Sequence, residues 1–174
     1  IEAVNNSIIQ NTAYLKSGNT GINTTHSTVL NEGKIDAAET GIYAADNIKT
    51  INTGEVNGKT GVEIISGTEE YSGHFLNTGK ISGTDYAVKF DDNDSVFELG
   101  NGSVINGKID ASGGENVLIV NGNVNIESAD NFNKIVSRGN SEISGIVNLN
   151  PATDKSYYTE AFSGKKSMTD LAAE

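Results

Sequence analysis

Short runs of alternating apolar and polar residues recur along the chain, as at Ile42 and Ala44, Val62 and Ile64, and Val88 and Phe90. A period of two places alternate side chains on one side of an extended backbone, which predicts half-buried strands and not helices. Gly, Asn, Asp and Ser punctuate the runs, as tight corners require. No helical period is sustained before the C-terminal tail.

The runs belong to a repeat. Asn31-Glu32-Gly33-Lys34-Ile35, Asn52-Thr53-Gly54-Glu55-Val56 and Asn77-Thr78-Gly79-Lys80-Ile81 match, and each follows a large apolar residue: Leu30, Ile51 and Leu76. A second match follows in each block at Gly41-Ile42-Tyr43-Ala44, Gly61-Val62-Glu63-Ile64 and Ala87-Val88-Lys89-Phe90. Block starts fall at Asn31, Asn52, Asn77, Asn101, Asn121 and Asn140, about 19 to 25 residues apart, within the range of solenoid repeats. The expected fold is all-β: a right-handed, single-stranded parallel β-helix of about six to seven rungs over residues 1–150, with a short tail at 151–174.

Stacking gives the asparagines a reason. Amides in successive rungs sit roughly 4.8 Å apart and can hydrogen-bond along the axis, so Asn31, Asn52, Asn77, Asn101, Asn121 and Asn140 are expected to form a ladder. The same register stacks Lys34, Glu55 and Lys80, and also Tyr43, Glu63 and Lys89. Opposite charges on neighbouring strands attract, whereas a wrong register has no reason to alternate them.

Outside the clear blocks the pattern loosens. Residues 1–30 read as one long, irregular turn of the stack. From Val96 the spacing changes, with Val117 to Val120 reading as a fully buried strand. Pro151 ends the strand run because it cannot donate to a ladder. The tail reads as an end cap or a junction to a following region, with Ser167 expected to cap a short helix through Met168, Leu171 and Ala172. Neither an N-terminal capping helix nor a natural start residue is evident, so the chain is expected to be a piece of a longer protein.

The runs Asn77-Thr78-Gly79-Lys80-Ile81-Ser82-Gly83-Thr84 and Gly102-Ser103-Val104-Ile105-Asn106-Gly107-Lys108-Ile109 resemble passenger repeats of bacterial autotransporters, over about residues 31 to 150. Their Asn- and Gly-rich composition is most similar to the large surface autotransporters of fusobacteria. That resemblance implies export through the outer membrane and tethering by a C-terminal barrel absent from this chain. It also implies display at the bacterial surface, or secretion, and adhesion to a protein or glycan on host cells or other bacteria. Some members carry a serine protease domain, which this chain lacks, and there the helix serves as a stalk.

Composition narrows the chemistry. The chain has 174 residues, no Cys, no Trp, one Pro and 20 Gly. Without Cys there are no disulfides, thiolate metal sites or Cys nucleophiles. The formal net charge of −11 and the single Arg, Arg138, argue against nucleic acid as a partner. Asp91-Asp92-Asn93-Asp94 offers oxygen ligands for Ca²⁺ but lacks EF-hand spacing, and a solvated turn is the favoured reading. Gly113-Gly114-Glu115-Asn116 reads as a turn as well. His26 and His74 occupy non-equivalent places with no evident third ligand, so no metal and no cofactor are expected.

No nucleophile elbow accompanies a Ser-His-Asp order, so no catalytic residue is assigned. A polysaccharide-active β-helix enzyme is the alternative, drawing on Asp91, Asp92, Asp94 or Asp110. A passive stalk for an upstream domain is the third reading. The leading one is a non-enzymatic passenger segment acting in adhesion. Its candidate contact patch is the insertion Ser66 to Gly73 with its flank, through Glu69, Glu70, Tyr71 and His74, because insertions leave a solenoid as loops on one face. A leucine-rich-repeat horseshoe is the rival fold, but these blocks lack its Leu-x-x-Leu-x-Leu core.

Overall fold

A computed structural model describes residues 1–67 and 73–150, and the backbone of 162–167. Strand β1 (Glu2–Val4) precedes a coil formed by β2 (Ile8–Asn11), β3 (Tyr14–Ser17) and β4 (Ile22–Thr25). The second coil is β5 (Thr28–Asn31), β6 (Lys34–Ala37) and β7 (Thr40–Ala45). In the third and fourth, the corner between the second and third strands straightens, leaving β8 (Lys49–Asn52) with β9 (Glu55–Ile65), then β10 (His74–Asn77) with β11 (Lys80–Phe90). The fifth is β12 (Val96–Gly100) and β13 (Val104–Asp110), and the sixth and seventh are the single long strands β14 (Val117–Phe132) and β15 (Lys134–Leu149). Finally β16 (Phe162–Ser167) runs antiparallel along β15, opposite Glu142 to Val147.

Every pairing except that last one is parallel, and the chain is a β-solenoid of about seven turns. Its three faces are continuous sheets. The first joins β2, β5, β8, β10, β12, β14 and β15. The second joins β3, β6, β9, β11, β13, β14 and β15, and the third runs from β1 through β4 and β7 into the far halves of the long strands.

Like stacks on like inside. On the second face Ile35, Val56, Ile81 and Ile105 lie in register and are all but completely buried. The third face contributes Ile22, Ile42, Val62, Val88 and Ile109 in the same way. β-Branched side chains fit these pleated, closely spaced walls. Midway up, the interior widens to aromatics. Phe75 and Phe97 stack with centroids 5.0 Å apart, and Phe90 bridges Phe97 and Phe132 at 5.7 and 6.4 Å.

The N-terminal stretch corrects one expectation. Residues 1–30 are not an irregular turn: β2, β3 and β4 form a regular coil in register with the next. Its corner reads Asn11-Thr12-Ala13, and Asn11 lies beneath Asn31. A Cβ on Gly33, Gly54 or Gly79 would collide with a backbone carbonyl of the preceding coil, at Ala13, Gly33 and Gly54 respectively. No described strand lies beneath β3, so Ala13 escapes that collision. Ser167, expected to cap a helix, is instead the last residue of β16, and the rest of that expected helix, 168–174, lies outside the described residues.

Candidate functional site

An asparagine ladder runs through the corners of the first four coils. Asn11 donates its amide to Asn31 Oδ1 at 2.8 Å, Asn31 to Asn52 at 2.7 Å, and Asn52 to Asn77 at 2.7 Å. Each backbone carbonyl below also accepts two N–H groups from the turn above, as Asn31 does from Thr53 at 2.8 Å and Gly54 at 3.1 Å. One residue type thus satisfies the buried corner three ways, which is why the corner tolerates little else.

Asn101, Asn121 and Asn140 stand outside this ladder and are exposed. Beyond Asn77 the inward position passes to Leu99 and Val120, which pair directly above it. The turn there is longer, and a buried serine hydroxyl replaces the pair of N–H donors. The one hydroxyl proton of Ser103 is shared between Asn77 O and Gly100 O, both at 2.7 Å, and that of Ser141 between Val120 O and Arg138 O, at 3.2 and 2.9 Å. Asn101 Oδ1 instead accepts the Asn123 N–H at 2.9 Å. Asn11, Ser103 and Ser141 are the corner residues the sequence pattern did not single out.

Outward side chains form charge rows. Glu55 lies between Lys34 and Lys80 at 3.4 and 3.9 Å, and Lys89 meets Glu63 at 3.7 Å, with Tyr43 in register with Glu63. Further along the third face, Lys108 sits between Asp110 and Asp130 at 3.2 and 3.5 Å. The acidic turn spends its carboxylates on neighbouring turns. Asp91 accepts the Ser66 N–H, Asp92 accepts Ser112 Oγ–H and the Gly113 N–H, and Asp94 accepts the Glu115 N–H.

Two of these carboxyls are held below the ordinary carboxylate range. At Asp92 the cause is the Ser112 hydroxyl, then the Gly113 N–H. At Asp110 burial pushes upward, but Asn131, the Ser112 N–H and Lys108 together outweigh it. A depressed carboxyl is a poor proton donor to a glycosidic oxygen. Among the described residues no group of His, Cys, Asp and Glu is placed to hold a metal ion. His26 pairs with Asp46 at 3.6 Å, at a corner between the third and first faces.

Of the candidate contact patch, Glu69, Glu70 and Tyr71 lie outside the described residues. His74 opens β10, exposed on the first face in register with Val96, and lines a shallow hollow with Lys49, Leu76 and Glu98. That hollow belongs to a larger feature. Residues next to the buried asparagines must point outward, because side chains alternate along a strand. Leu30, Ile51 and Leu76 therefore form one outer row, continued through Glu98 to Ile119 and Val136. Arg138 reaches back to Glu98 at 3.0 Å across this row. Beside it runs a mixed row, Ile8, Thr28 and Lys49, then His74, Val96, Val117 and Lys134. The first face thus carries one largely apolar row beside a mixed one.

These features define a parallel β-solenoid with one largely apolar outer row on its first face. No family model matches the chain, and no curated protein and no solved structure matches it either.

Proposed function

We propose that this chain is a non-enzymatic β-helical segment of an autotransporter passenger, displayed at the bacterial surface or secreted, and acting in adhesion to host cells or other bacteria. A rigid stack holds side chains in fixed rows about 4.8 Å apart, so a surface built on it keeps its geometry far from an anchor. The observation that carries the reading is the outer row Leu30, Ile51 and Leu76, interrupted by Glu98 and resumed by Ile119 and Val136. Aligned apolar side chains on a surface mark an interaction site more often than scattered ones do. Export through a C-terminal barrel is part of the same proposal.

The test is adherence of beads coated with the chain to epithelial cells and to bacteria, compared with the Ile51→Asp/Leu76→Asp variant. Both side chains point outward, so circular dichroism should show the variant folded. The expected result is binding by the unaltered chain and its loss in the variant. Absence of binding by the unaltered chain would leave a passive stalk in place of an adhesive segment, and equal binding by both would overturn the assignment of adhesion to this row.

A further inference from the structure

Between the second and third faces, three successive coils turn on glycine. Asn57-Gly58, Ser82-Gly83 and Asn106-Gly107 lie one above another, with Ser82 paired to both Asn57 and Asn106 and Gly83 paired to Gly58. A Cβ on Gly107 would strike the Gly83 carbonyl oxygen, and one on Gly83 would strike that of Tyr86. No side chain fits at these positions, so the corner keeps a floor of bare backbone. The result is an open trough of about 360 Å³ that also takes in Thr84 and Glu127.

The trough's polar groups are of one kind. The Asn57 amide is spent on Asp36 Oδ1 and Glu55 Oε1, at 2.7 and 2.9 Å. Asn106 donates to Ser82 Oγ at 3.3 Å, which leaves the Ser82 hydroxyl proton and the Asn106 carbonyl oxygen without a partner among the described residues. The Thr84 hydroxyl has none there either. Hydroxyls and amide oxygens that donate or accept as needed are matched by a ligand that carries many hydroxyls of its own. At one end Asp36 and Glu55 are paired with Lys34 and Lys80, and at the other stands Glu127. The formal net charge of −11 on the chain as a whole disfavours an anionic ligand.

We propose that this trough binds a neutral, linear glycan laid along the stack axis. The polar groups recur once per coil, at about 4.8 Å, close to the length of one sugar unit in an extended chain. A ligand with that repeat meets one polar side chain on each of three coils, Asn57, Ser82 and Asn106. The site lies on a different corner from the first face, so it stands or falls independently of the adhesion proposal.

The test titrates the full chain, by isothermal calorimetry and amide chemical shifts, with linear neutral hexasaccharides of glucose, mannose and N-acetylglucosamine. Shorter oligomers of each and a hexasaccharide of galacturonic acid complete the set. At least one neutral sugar should bind, with affinity rising from the disaccharide to the trisaccharide and then levelling as the trough fills. Losing hydrogen bonds in the Ser82→Ala/Asn106→Ala variant should weaken that binding about tenfold. Both residues face solvent, and circular dichroism checks that the variant keeps its strands. The proposal is overturned if no neutral hexasaccharide binds, if the galacturonic acid probe binds equally well, or if the double variant binds like the unaltered chain.

Discussion

Asn31 donates its side-chain amide to the side-chain oxygen of Asn52 at 2.7 Å, and both residues are wholly buried. Asn52 passes the same bond to Asn77, also at 2.7 Å. Each amide adds a local bond to a corner carbonyl, Asn31 to Gly33 at 3.2 Å and Asn52 to Gly54 at 3.3 Å. The ladder is directional, every amide pointing toward the next coil, so an interior member is donor to one neighbour and acceptor from the other.

Replacing that interior member should therefore cost more than replacing the last. Asn52→Leu keeps the branched shape but removes two ladder bonds, leaving one Asn31 amide proton and the Asn77 oxygen unmatched in the interior. Stranded buried polar groups of this kind cost about 1–3 kcal/mol each, so a loss of roughly 2–4 kcal/mol is expected. Asn77→Leu removes one ladder bond and places Leu directly beneath Leu99, so about half that loss is expected. Urea denaturation of both variants, followed by circular dichroism, reads the difference. Equal losses would mean that the ladder bonds do not set the stability of this corner.

The glycine two residues beyond Asn31, Asn52 and Asn77 gives a sharper contrast. A Cβ on Gly54 would overlap the Gly33 carbonyl oxygen and come within 2.7 Å of the Glu32 carbonyl carbon, atoms that cannot yield without parting the coils. Gly54→Ala should destabilise by about 2 kcal/mol or more, as over-packing does. At Gly18 nothing lies within 4 Å, and Gly18→Ala should be neutral or slightly stabilising through the unfolded chain. Thermal melts of the pair check this, and a harmless Gly54→Ala would mean the coils are not seated as closely as described.

Acid should loosen the charge rows first. Glu55 is held below its ordinary value of 4.5, chiefly by the Asn57 amide and then by Lys34 and Lys80, while burial opposes them. Asp36 is held below 3.8, again chiefly by Asn57. Their folded values lie below the unfolded ones, so between the two the unfolded chain binds more protons. The stabilisation is complete above the unfolded values and fades as the pH falls through the lower folded ones. Midpoints measured from pH 6 to 2 should fall below about pH 4.5 in the unaltered chain. The Glu55→Gln variant should show a flatter decline, and a decline of unchanged slope would assign the acid sensitivity to other carboxyls.

The parts of this architecture legible in sequence are those where one coil repeats another residue for residue. The row Lys34, Glu55, Lys80 follows from taking the third residue after Asn31, Asn52 and Asn77, and the strand pairing places those residues together. Asn11 escaped notice because Ala13 stands where later corners need Gly, a freedom that depends on which coil lies beneath. Asn101, Asn121 and Asn140 matched by spacing alone, while burial had passed to Leu99 and Val120, and Ser103 and Ser141 had taken over the corner. Leu30, Ile51 and Leu76 were visible as a recurring apolar position, but whether they face in or out depends on which neighbour is buried. The glycine trough has no signal within any one block, since it exists only when three corners are superposed.

The aromatic cluster offers the last prediction, because it joins the two differently built halves of the stack. Below it lie the ladder coils, and above it lie coils with Leu99, Val120 and serine corners. Phe97, on the first coil above the ladder, meets the last ladder coil through both Phe75, stacked at 5.0 Å, and Phe90, tilted at 5.7 Å, and pairs in register with Leu118 above. It is completely buried, so Phe97→Ala should leave a cavity and cost about 3–5 kcal/mol. In a one-dimensional stack that loss falls on the contact between neighbouring coils and not on the whole chain evenly. Hydrogen exchange should then show β8 and β10 losing protection at a different free energy from β14 and β15, where the unaltered chain shows a common value. A variant that still opens as one unit would mean that coupling between the halves runs through the sheets' backbone bonds more than through the aromatic interior.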